Sequence, residues 1–112
     1  MSQLTTHILD TTKGRPAASV TIVLYEPAGD DWREIARSAT NADGRIPDLL
    51  AQDKILAMGV YKLKFLTQEY FERDGTASFY PFVEICFSVT DDSHYHVPLL
   101  LNPFGFSTYR GS

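Results

Sequence analysis

Apolar and polar side chains alternate with a period of two along several short segments of the chain, and this pattern restricts it to a β fold. In residues 60–66, for example, aromatic and aliphatic side chains occupy one set of alternate positions and two lysines the other. Successive side chains of a strand point to opposite faces, so this alternation predicts a half-buried strand. Turn-forming residues separate such segments, most clearly Asn-Ala-Asp-Gly at 41–44. The predicted strands span residues 4–10, 19–26, 32–40, 60–66, 82–90, 94–101 and 106–109.

Short strands at this regular spacing, with at most one helix, predict an all-β fold, a two-sheet β-sandwich. The helix is expected at residues 67–73, with Thr67 as its N-cap and Glu69 in its first turn. A chain of 112 residues without an internal repeat or a linker suits a single domain, residues 1–112. Several strands are expected at sheet edges, where a small sandwich commonly pairs with another subunit.

Composition and charge exclude several classes of function. A net charge of −4 argues against nucleic acid as a partner, because phosphate binding needs a basic face. No apolar run approaches the length of a membrane span. The N-terminal residues lack the basic and apolar regions of a secretory leader, so a cytoplasmic location is expected, with a removed periplasmic signal peptide as the alternative. The single cysteine, Cys86, rules out an intrachain disulfide and is expected to be buried or half-buried.

Two histidines and a terminal hairpin concentrate polar chemistry at the end of the chain. His94 and His96 are two residues apart in a predicted strand, so their side chains should share one face. Residues 102–105, Asn-Pro-Phe-Gly, predict a turn, and the strand that follows should bring Tyr109 and Arg110 back beside the histidines. The opposite face of the histidine strand should enter the core through an apolar row: Tyr95, Val97, Leu99 and Leu101.

Two further residues elsewhere in the chain could share a site with these histidines. His7 should face outward if its neighbour Ile8 faces the core. A neutral imidazole is well suited to removing a proton from water near pH 7. Arg45 follows a tight turn, from which its paired donors could bind an anionic or carbonyl-rich ligand and its charge could keep a nearby histidine neutral.

Other interpretations of the histidines remain open from the residues alone. His94 and His96 could be surface or interface residues with satisfied ring nitrogens. With His7 they could instead bind zinc, although no acidic or cysteine ligand lies at a suitable spacing.

Five segments in order along the chain resemble the 5-hydroxyisourate hydrolases, the transthyretin-like enzymes of urate breakdown. They are THILD at 6–10, GRPA at 14–17, TNADGR at 40–45, HYHVPLL at 94–100 and STYRGS at 107–112. The terminal YRGS is the most specific of them, because it separates the enzymes from the hormone-carrying transthyretins.

The resemblance implies a transthyretin-like β-sandwich with its helix near residues 68–74. It also implies a homotetramer, a dimer of dimers, with active sites in the channel between dimers and with no cofactor or metal. The implied reaction is hydrolysis of 5-hydroxyisourate to 2-oxo-4-hydroxy-4-carboxy-5-ureidoimidazoline, a step of purine degradation. The family's functional residues fall on His7, Arg45, His96, Tyr109, Arg110, Gly111 and Ser112, with His94 beside them.

Each of these residues acquires an expected role from the resemblance. His7 and His96 would activate water and pass its proton to the leaving nitrogen, in an order that the sequence leaves open. Arg45 would orient the substrate and stabilise the developing oxyanion. The substrate ring would be positioned by Tyr109, and the chain end from Arg110 to Ser112 would complete the pocket wall.

Two alternatives to an enzyme follow from the same features. A transthyretin-like binding protein would hold a hydrophobic aromatic ligand in the same channel without catalysis, and it would not need so polar a lining. An immunoglobulin-like interaction domain would carry the histidines as surface residues and would be a monomer.

Overall fold

Nine strands and one short helix make up the regular structure of residues 2–112, the part of the chain that the computed structural model describes. Their bounds are β1 Leu4–Asp10, β2 Arg15–Pro16, β3 Thr21–Ala28, β4 Asp31–Ala39, β5 Arg45–Ile46, β6 Gly59–Phe65, α1 Thr67–Arg73, β7 Val83–Val89, β8 Tyr95–Asn102 and β9 Gly105–Thr108. All the predicted strands are confirmed, with ends that shift by no more than two residues. The two-residue strands β2 and β5 were not predicted, because two residues carry no periodicity.

The strands form two sheets, which confirms the predicted β-sandwich with one short helix. One sheet has the order β2-β1-β8-β9, with β5 also beside β1, and the other has the order β4-β3-β6-β7. β1 and β8 pair in parallel, whereas every other strand pair described is antiparallel. The middle of β1 therefore lies between β5 on one side and β8 on the other.

Burial alternates along the strands as the sequence pattern predicts. On β1, Leu4, Thr6 and Ile8 are buried, whereas Thr5 and His7 face outward and are only partly covered. The predicted inward row of β8 is also confirmed, and its members belong to the core between the sheets: Tyr95, Val97, Leu99 and Leu101. The outward face of β1 and β8 is thus the face available for a site.

Cys86 corrects one expectation about the strands. The residue is exposed, not buried. It lies on β7, an edge strand of its sheet, where Val83, Ile85 and Val89 take the inward positions. The intervening position of Cys86 therefore faces away from the core.

The helix begins where the sequence places it, but its N-cap is not the expected residue. Leu66 occupies the N-cap position and makes no side-chain capping bond, and Thr67 is the first helical residue. β6 ends one residue earlier and Leu66 donates its N–H to the Thr21 carbonyl, so the chain enters the helix directly from the sheet. Thr67 is buried at this junction, and its hydroxyl has no hydrogen-bond partner among residues 2–112. In this range no helix combines the length and apolar character needed to cross a membrane.

Candidate active site

The turn before β5 delivers Arg45 to the outward face of β1. The Asn41 side-chain oxygen accepts hydrogen bonds from the backbone N–H groups of Asp43 and Arg45, at 2.9 and 3.0 Å. Gly44 has a φ of +72°, and its carbonyl accepts the N–H of Ile8 at 2.8 Å. A Cβ at Gly44 would lie 2.5 Å from the Ile8 carbonyl oxygen, so only glycine lets the turn pack this closely against β1.

Strand register then places Arg45 and both predicted catalytic histidines in one row. His7 on β1 is paired with Arg45 on β5, and it is paired with Pro98 on β8. His96 lies two residues before Pro98 and is paired with Thr5, so the side chains of His7 and His96 emerge on the same outward face. The structure therefore brings together groups from three strands that are remote in sequence.

Thr5 makes the most specific contact in the cluster, and sequence reasoning missed it. Its hydroxyl oxygen lies 2.9 Å from His94 Nε2 and 2.8 Å from His96 Nδ1. The two imidazoles stack with ring centroids 6.4 Å apart, which confirms that they share a face. Because Thr5 precedes His7 by two residues on a strand, the period of two was a signal that could have found it.

Electrostatics favours the neutral form of both predicted catalytic histidines. Partial burial lowers the pKa of His7, and the Arg45 charge lowers it further, while hydrogen bonding to the Asp43 backbone and the Asp43 charge act in the opposite direction. Burial also lowers the pKa of His96, followed by the charges of Arg45, His7 and His94. A neutral imidazole can accept a proton, so the cluster suits general-base chemistry.

Gly111, near the end of the chain, packs directly against the His96 ring. The Gly111 N–H donates to the His96 carbonyl at 2.8 Å after the β8–β9 hairpin has reversed the chain. A Cβ at Gly111 would lie 2.5 Å from His96 Cδ2, so any larger residue would displace the ring. The absence of a side chain at this position is therefore part of the geometry of the site.

Most of the predicted site residues line one of two cavities in the chain. The first, of about 280 Å³, is lined by Thr5, Thr6, Arg45, Ile46, Pro47, His94, His96 and Ser112. A second cavity, of about 270 Å³, contains Tyr109 and Arg110 in its wall, together with Cys86, Tyr95 and the other side of His96. His7 lines neither cavity and contributes to the cluster through its pairing with Arg45.

The prediction that Tyr109 and Arg110 return beside the histidines is only partly confirmed. The Arg110 guanidinium lies over the Tyr95 ring, 4.3 Å from its centroid, and 3.4 Å from the His94 carbonyl oxygen. Tyr95 is the core-facing neighbour of the two histidines, so Arg110 lies on the opposite side of the strand from their rings. The bridge between His96 and Gly111 continues the register that pairs Leu99 with Thr108. Arg110 therefore stands opposite Val97, and strand alternation directs its side chain to the core-facing side of β8.

Within residues 2–112 no group of three or more His, Cys, Asp and Glu side chains is arranged to hold a metal ion. The zinc interpretation of the histidines therefore has no ligand set in the part of the chain that the structure describes.

Removal of the last three residues is expected to impair the site and to spare the fold. Residues 110–112 include no member of the core. They contribute a backbone bridge to His96, the Ser112 wall of the first cavity and the Arg110 guanidinium over the Tyr95 ring. The His96 ring would lose its support, and a displacement of about 1 Å can cost a catalyst up to about a hundredfold in rate. Thermal unfolding and the rate of substrate turnover, measured on the truncated and the full chain, test this prediction.

Gly111→Ala is the matched variant, because it keeps the tail and moves only the ring. A truncated chain that no longer unfolds cooperatively would show instead that the tail is structural. Unchanged activity in Gly111→Ala would show that the ring position does not matter.

Fold and site together define a transthyretin-like β-sandwich with a histidine–arginine cluster on the outer face of one sheet. A family model described as the HIUase/Transthyretin family matches residues 4–111. The chain belongs to this family, as the sequence motifs predicted.

Proteins named as hydrolases and proteins named as transthyretins are both similar to this chain. A mouse protein named 5-hydroxyisourate hydrolase is 46% identical over 99% of this chain and 96% of its own length. The solved structure of Klebsiella pneumoniae 5-hydroxyisourate hydrolase is 41% identical, with a TM-score of 0.86 over 97% of this chain and 98% of the other. Sea bream transthyretin in complex with thyroxine is 33% identical, with a TM-score of 0.91 over 98% of this chain and 95% of the other.

Proposed function

We propose that this chain hydrolyses 5-hydroxyisourate to 2-oxo-4-hydroxy-4-carboxy-5-ureidoimidazoline. The family membership and the hydrolases at 41–46% identity support this activity. The observation that carries the proposal is the register of β5, β1 and β8, which aligns Arg45, His7 and His96 on one face. Water activation and oxyanion stabilisation require this combination of neutral imidazole and fixed cation.

The proposed reaction uses the two histidines in sequence. One neutral imidazole removes a proton from water, and the resulting hydroxide adds to the ring carbonyl carbon. The carbon–nitrogen bond then breaks, and the proton taken from water passes by way of the second histidine to the leaving nitrogen, so both imidazoles are neutral again at the end of the reaction. Because Nδ1 of His96 faces the Thr5 hydroxyl, Nε2 is the nitrogen of that ring left to exchange protons with the reactants.

Arg45 contributes charge and orientation to the same reaction. Its guanidinium lines the first cavity with His96, so it can bind the carbonyl oxygen on which negative charge develops. Among residues 2–112, no carboxylate forms a salt bridge with Arg45, so its donors remain available for an oxygen-rich ligand. Its charge also favours the neutral histidines on which the proton transfers depend.

The direct test is the decay of freshly generated 5-hydroxyisourate with and without the protein. The expected result is a faster loss of substrate absorbance that scales with protein concentration and yields the ring-opened carboxylate. Decay at the uncatalysed rate would refute the proposed function.

A transthyretin-like carrier is the second candidate, favoured by the thyroxine complex of sea bream transthyretin at TM-score 0.91. Against it stand the imidazoles and the guanidinium in the wall of the first cavity, which an apolar ligand would have to desolvate. Saturable binding of thyroxine without any acceleration of 5-hydroxyisourate decay would favour the carrier.

Titration of the histidines tests the electrostatic part of the proposal. We expect His7 and His96 to titrate below the ordinary histidine value of about 6.5, because burial and Arg45 lower both pKa values. In Arg45→Gln both pKa values should rise, whereas the control Arg15→Gln should leave them unchanged. Nuclear magnetic resonance of the imidazole protons measures each value directly, and a value above the ordinary one for either ring would contradict this expectation.

The lowered pKa values also set the direction of a stability effect. Between the folded and unfolded pKa values the unfolded chain binds more protons, so stability rises with pH across this window. The contribution is present above about 6.5 and is lost as pH falls through the lowered folded values. Both rings are partly exposed, so the effect on the free energy of unfolding is small.

We also propose that the active particle is a homotetramer, a dimer of dimers. Edge strands β7 and β9 are unpaired on one side within the protomer, and large aromatic side chains are exposed beside them. These side chains are Phe79, Tyr80, Phe82, Phe104, Phe106 and Tyr109. Sedimentation should give a mass near four times 12.6 kDa, and a mass near one chain would favour the monomeric interaction domain.

A further inference from the structure

The Thr5 hydroxyl is shared between two imidazole rings and has only one proton to give. Its oxygen lies 2.9 Å from His94 Nε2 and 2.8 Å from His96 Nδ1, both within hydrogen-bond range. A hydroxyl donates one hydrogen bond and accepts from other donors. If it donates to one ring, it must therefore accept from the other, and the protonation patterns of the two rings are linked.

The direction of this chain of hydrogen bonds decides whether His96 can act as a base. When Thr5 donates to His94, it accepts from the Nδ1–H of His96, and Nε2 of a neutral His96 retains its lone pair. When Thr5 donates to His96 Nδ1 instead, the single proton of the neutral ring is on Nε2, where it blocks proton uptake. Only the first direction leaves a basic nitrogen for the reactants.

One feature around the rings favours the first direction. Arg45 lines the same cavity as His96, and a ring N–H directed at its guanidinium would set two donors against each other. A lone pair on that side of the ring avoids this repulsion.

The charged groups around the pair carry both signs. Arg45 approaches from β5 and Arg110 contacts the His94 backbone, while the chain-terminal carboxylate at Ser112 lines the first cavity and Asp92 lines another cavity with His94. The neutral imidazole of His7 approaches from β1. His94 itself is exposed, so water can satisfy its remaining nitrogen whichever tautomer it adopts. The His94 ring is thus free to accept a hydrogen bond from the Thr5 hydroxyl.

We propose that Thr5 is a positioning residue that holds His96 with its proton on Nδ1, while its own hydroxyl donates to His94 Nε2. Nε2 of His96 is thereby kept unprotonated and directed at the reactants. The tautomer assignment stands on the hydrogen-bond geometry, and its consequence for the rate rests on the proposed hydrolase function.

Nitrogen-15 spectra of the imidazoles test the assignment without reference to activity. The chain has three histidines, so the full-length protein labelled at histidine gives three ring systems, which single His→Gln variants assign. Spectra are recorded at about pH 8.5, two units above the ordinary histidine pKa, where neutral rings dominate. We expect His96 to be protonated on Nδ1 and His94 to be unprotonated on Nε2. A His96 proton on Nε2, or a His94 proton on Nε2, would overturn the inference.

Thr5→Val and Thr5→Ser separate the hydroxyl from the shape of the side chain. Val keeps the branched shape and loses the donor, so His96 should become a mixture of tautomers. The rate constant kcat should fall by about tenfold, a part of the hundredfold or more that a positioned base contributes. Ser keeps the hydroxyl and should retain the wild-type spectrum and most of the rate.

The two readouts separate this inference from the proposed function. If the spectrum is as expected but the protein does not accelerate 5-hydroxyisourate decay, the hydrolase proposal fails and the tautomer assignment stands. If the protein is active and Thr5→Val changes neither the spectrum nor kcat, the role of Thr5 fails and the hydrolase proposal stands. The unmodified protein and Thr5→Ser supply the decisive spectra even if the Val variant does not fold.

Discussion

Replacing His96 with alanine is expected to lower kcat/KM for 5-hydroxyisourate by about a hundredfold or more. The variant loses the imidazole whose Nε2 faces the reactants and whose neutral form is favoured by burial and by Arg45. The backbone bridge between His96 and Gly111 does not involve the side chain, so the hairpin should persist. Initial rates over a range of substrate concentrations measure the loss, and thermal unfolding confirms that the variant is folded.

A second variant shows which ring nitrogen matters. In His96→Asn the side-chain amide takes the place of Nδ1 beside Thr5, but nothing replaces Nε2. We expect this variant to be as impaired as His96→Ala, and we expect added imidazole to restore part of the rate of the alanine variant alone. If His96→Asn retained full activity, Nε2 would not be the reacting nitrogen and His7 would be left as the base.

The fold was predictable from sequence because each long strand carries its own signal. Alternation along residues 60–66 and 94–101 identifies both the strand and its buried face, and Gly-containing turns mark the ends. β2 and β5 escaped prediction because a two-residue strand exists only through its partner, here β1. The parallel pairing of β1 with β8 joins chain segments about ninety residues apart, and no local pattern encodes it.

The site was predictable only as far as strand alternation reaches. The shared face of His94 and His96 and the outward direction of His7 follow from the period of two, and the structure places them so. Arg110 was expected beside the histidines, but the hairpin register continues as far as the His96–Gly111 bridge. It places Arg110 opposite Val97, so the side chain lies on the core-facing side of β8. The roles expected of the site residues came instead from the resemblance.

Two smaller errors have the same origin in tertiary context. Threonine is a favoured N-cap, yet the direct run from β6 into α1 shifts the cap to Leu66 and buries the hydroxyl of Thr67. A cysteine among apolar residues reads as buried, yet its position on an edge strand exposes Cys86. In each case the packing of neighbouring strands and helix, and not the local preference of the residue, decides its environment.

Replacing Arg45 with alanine is expected to lower kcat by about a hundredfold, because removal of one donor to a developing oxyanion typically costs this much or more. The same change removes the charge that lowers the pKa values of His7 and His96, so the remaining activity should need a higher pH. Arg45→Lys keeps the charge without the paired donors, and it should restore the pH dependence more fully than the rate. Rates measured across pH separate these two contributions.

The chain contains a matched control for this substitution. Arg15 is an exposed arginine on the other two-residue strand that pairs with β1, and it is paired with Asp10 where Arg45 is paired with His7. Arg15→Ala therefore removes the same side chain from the same kind of strand at a distance from the histidines, and its kcat should stay near that of the unchanged protein. An equal loss in both variants would mean that short-strand pairing, and not the guanidinium at the histidine cluster, supports turnover. A loss of kcat in Arg45→Ala alone would show that turnover depends on the guanidinium that the Asn41–Gly44 turn holds beside His7.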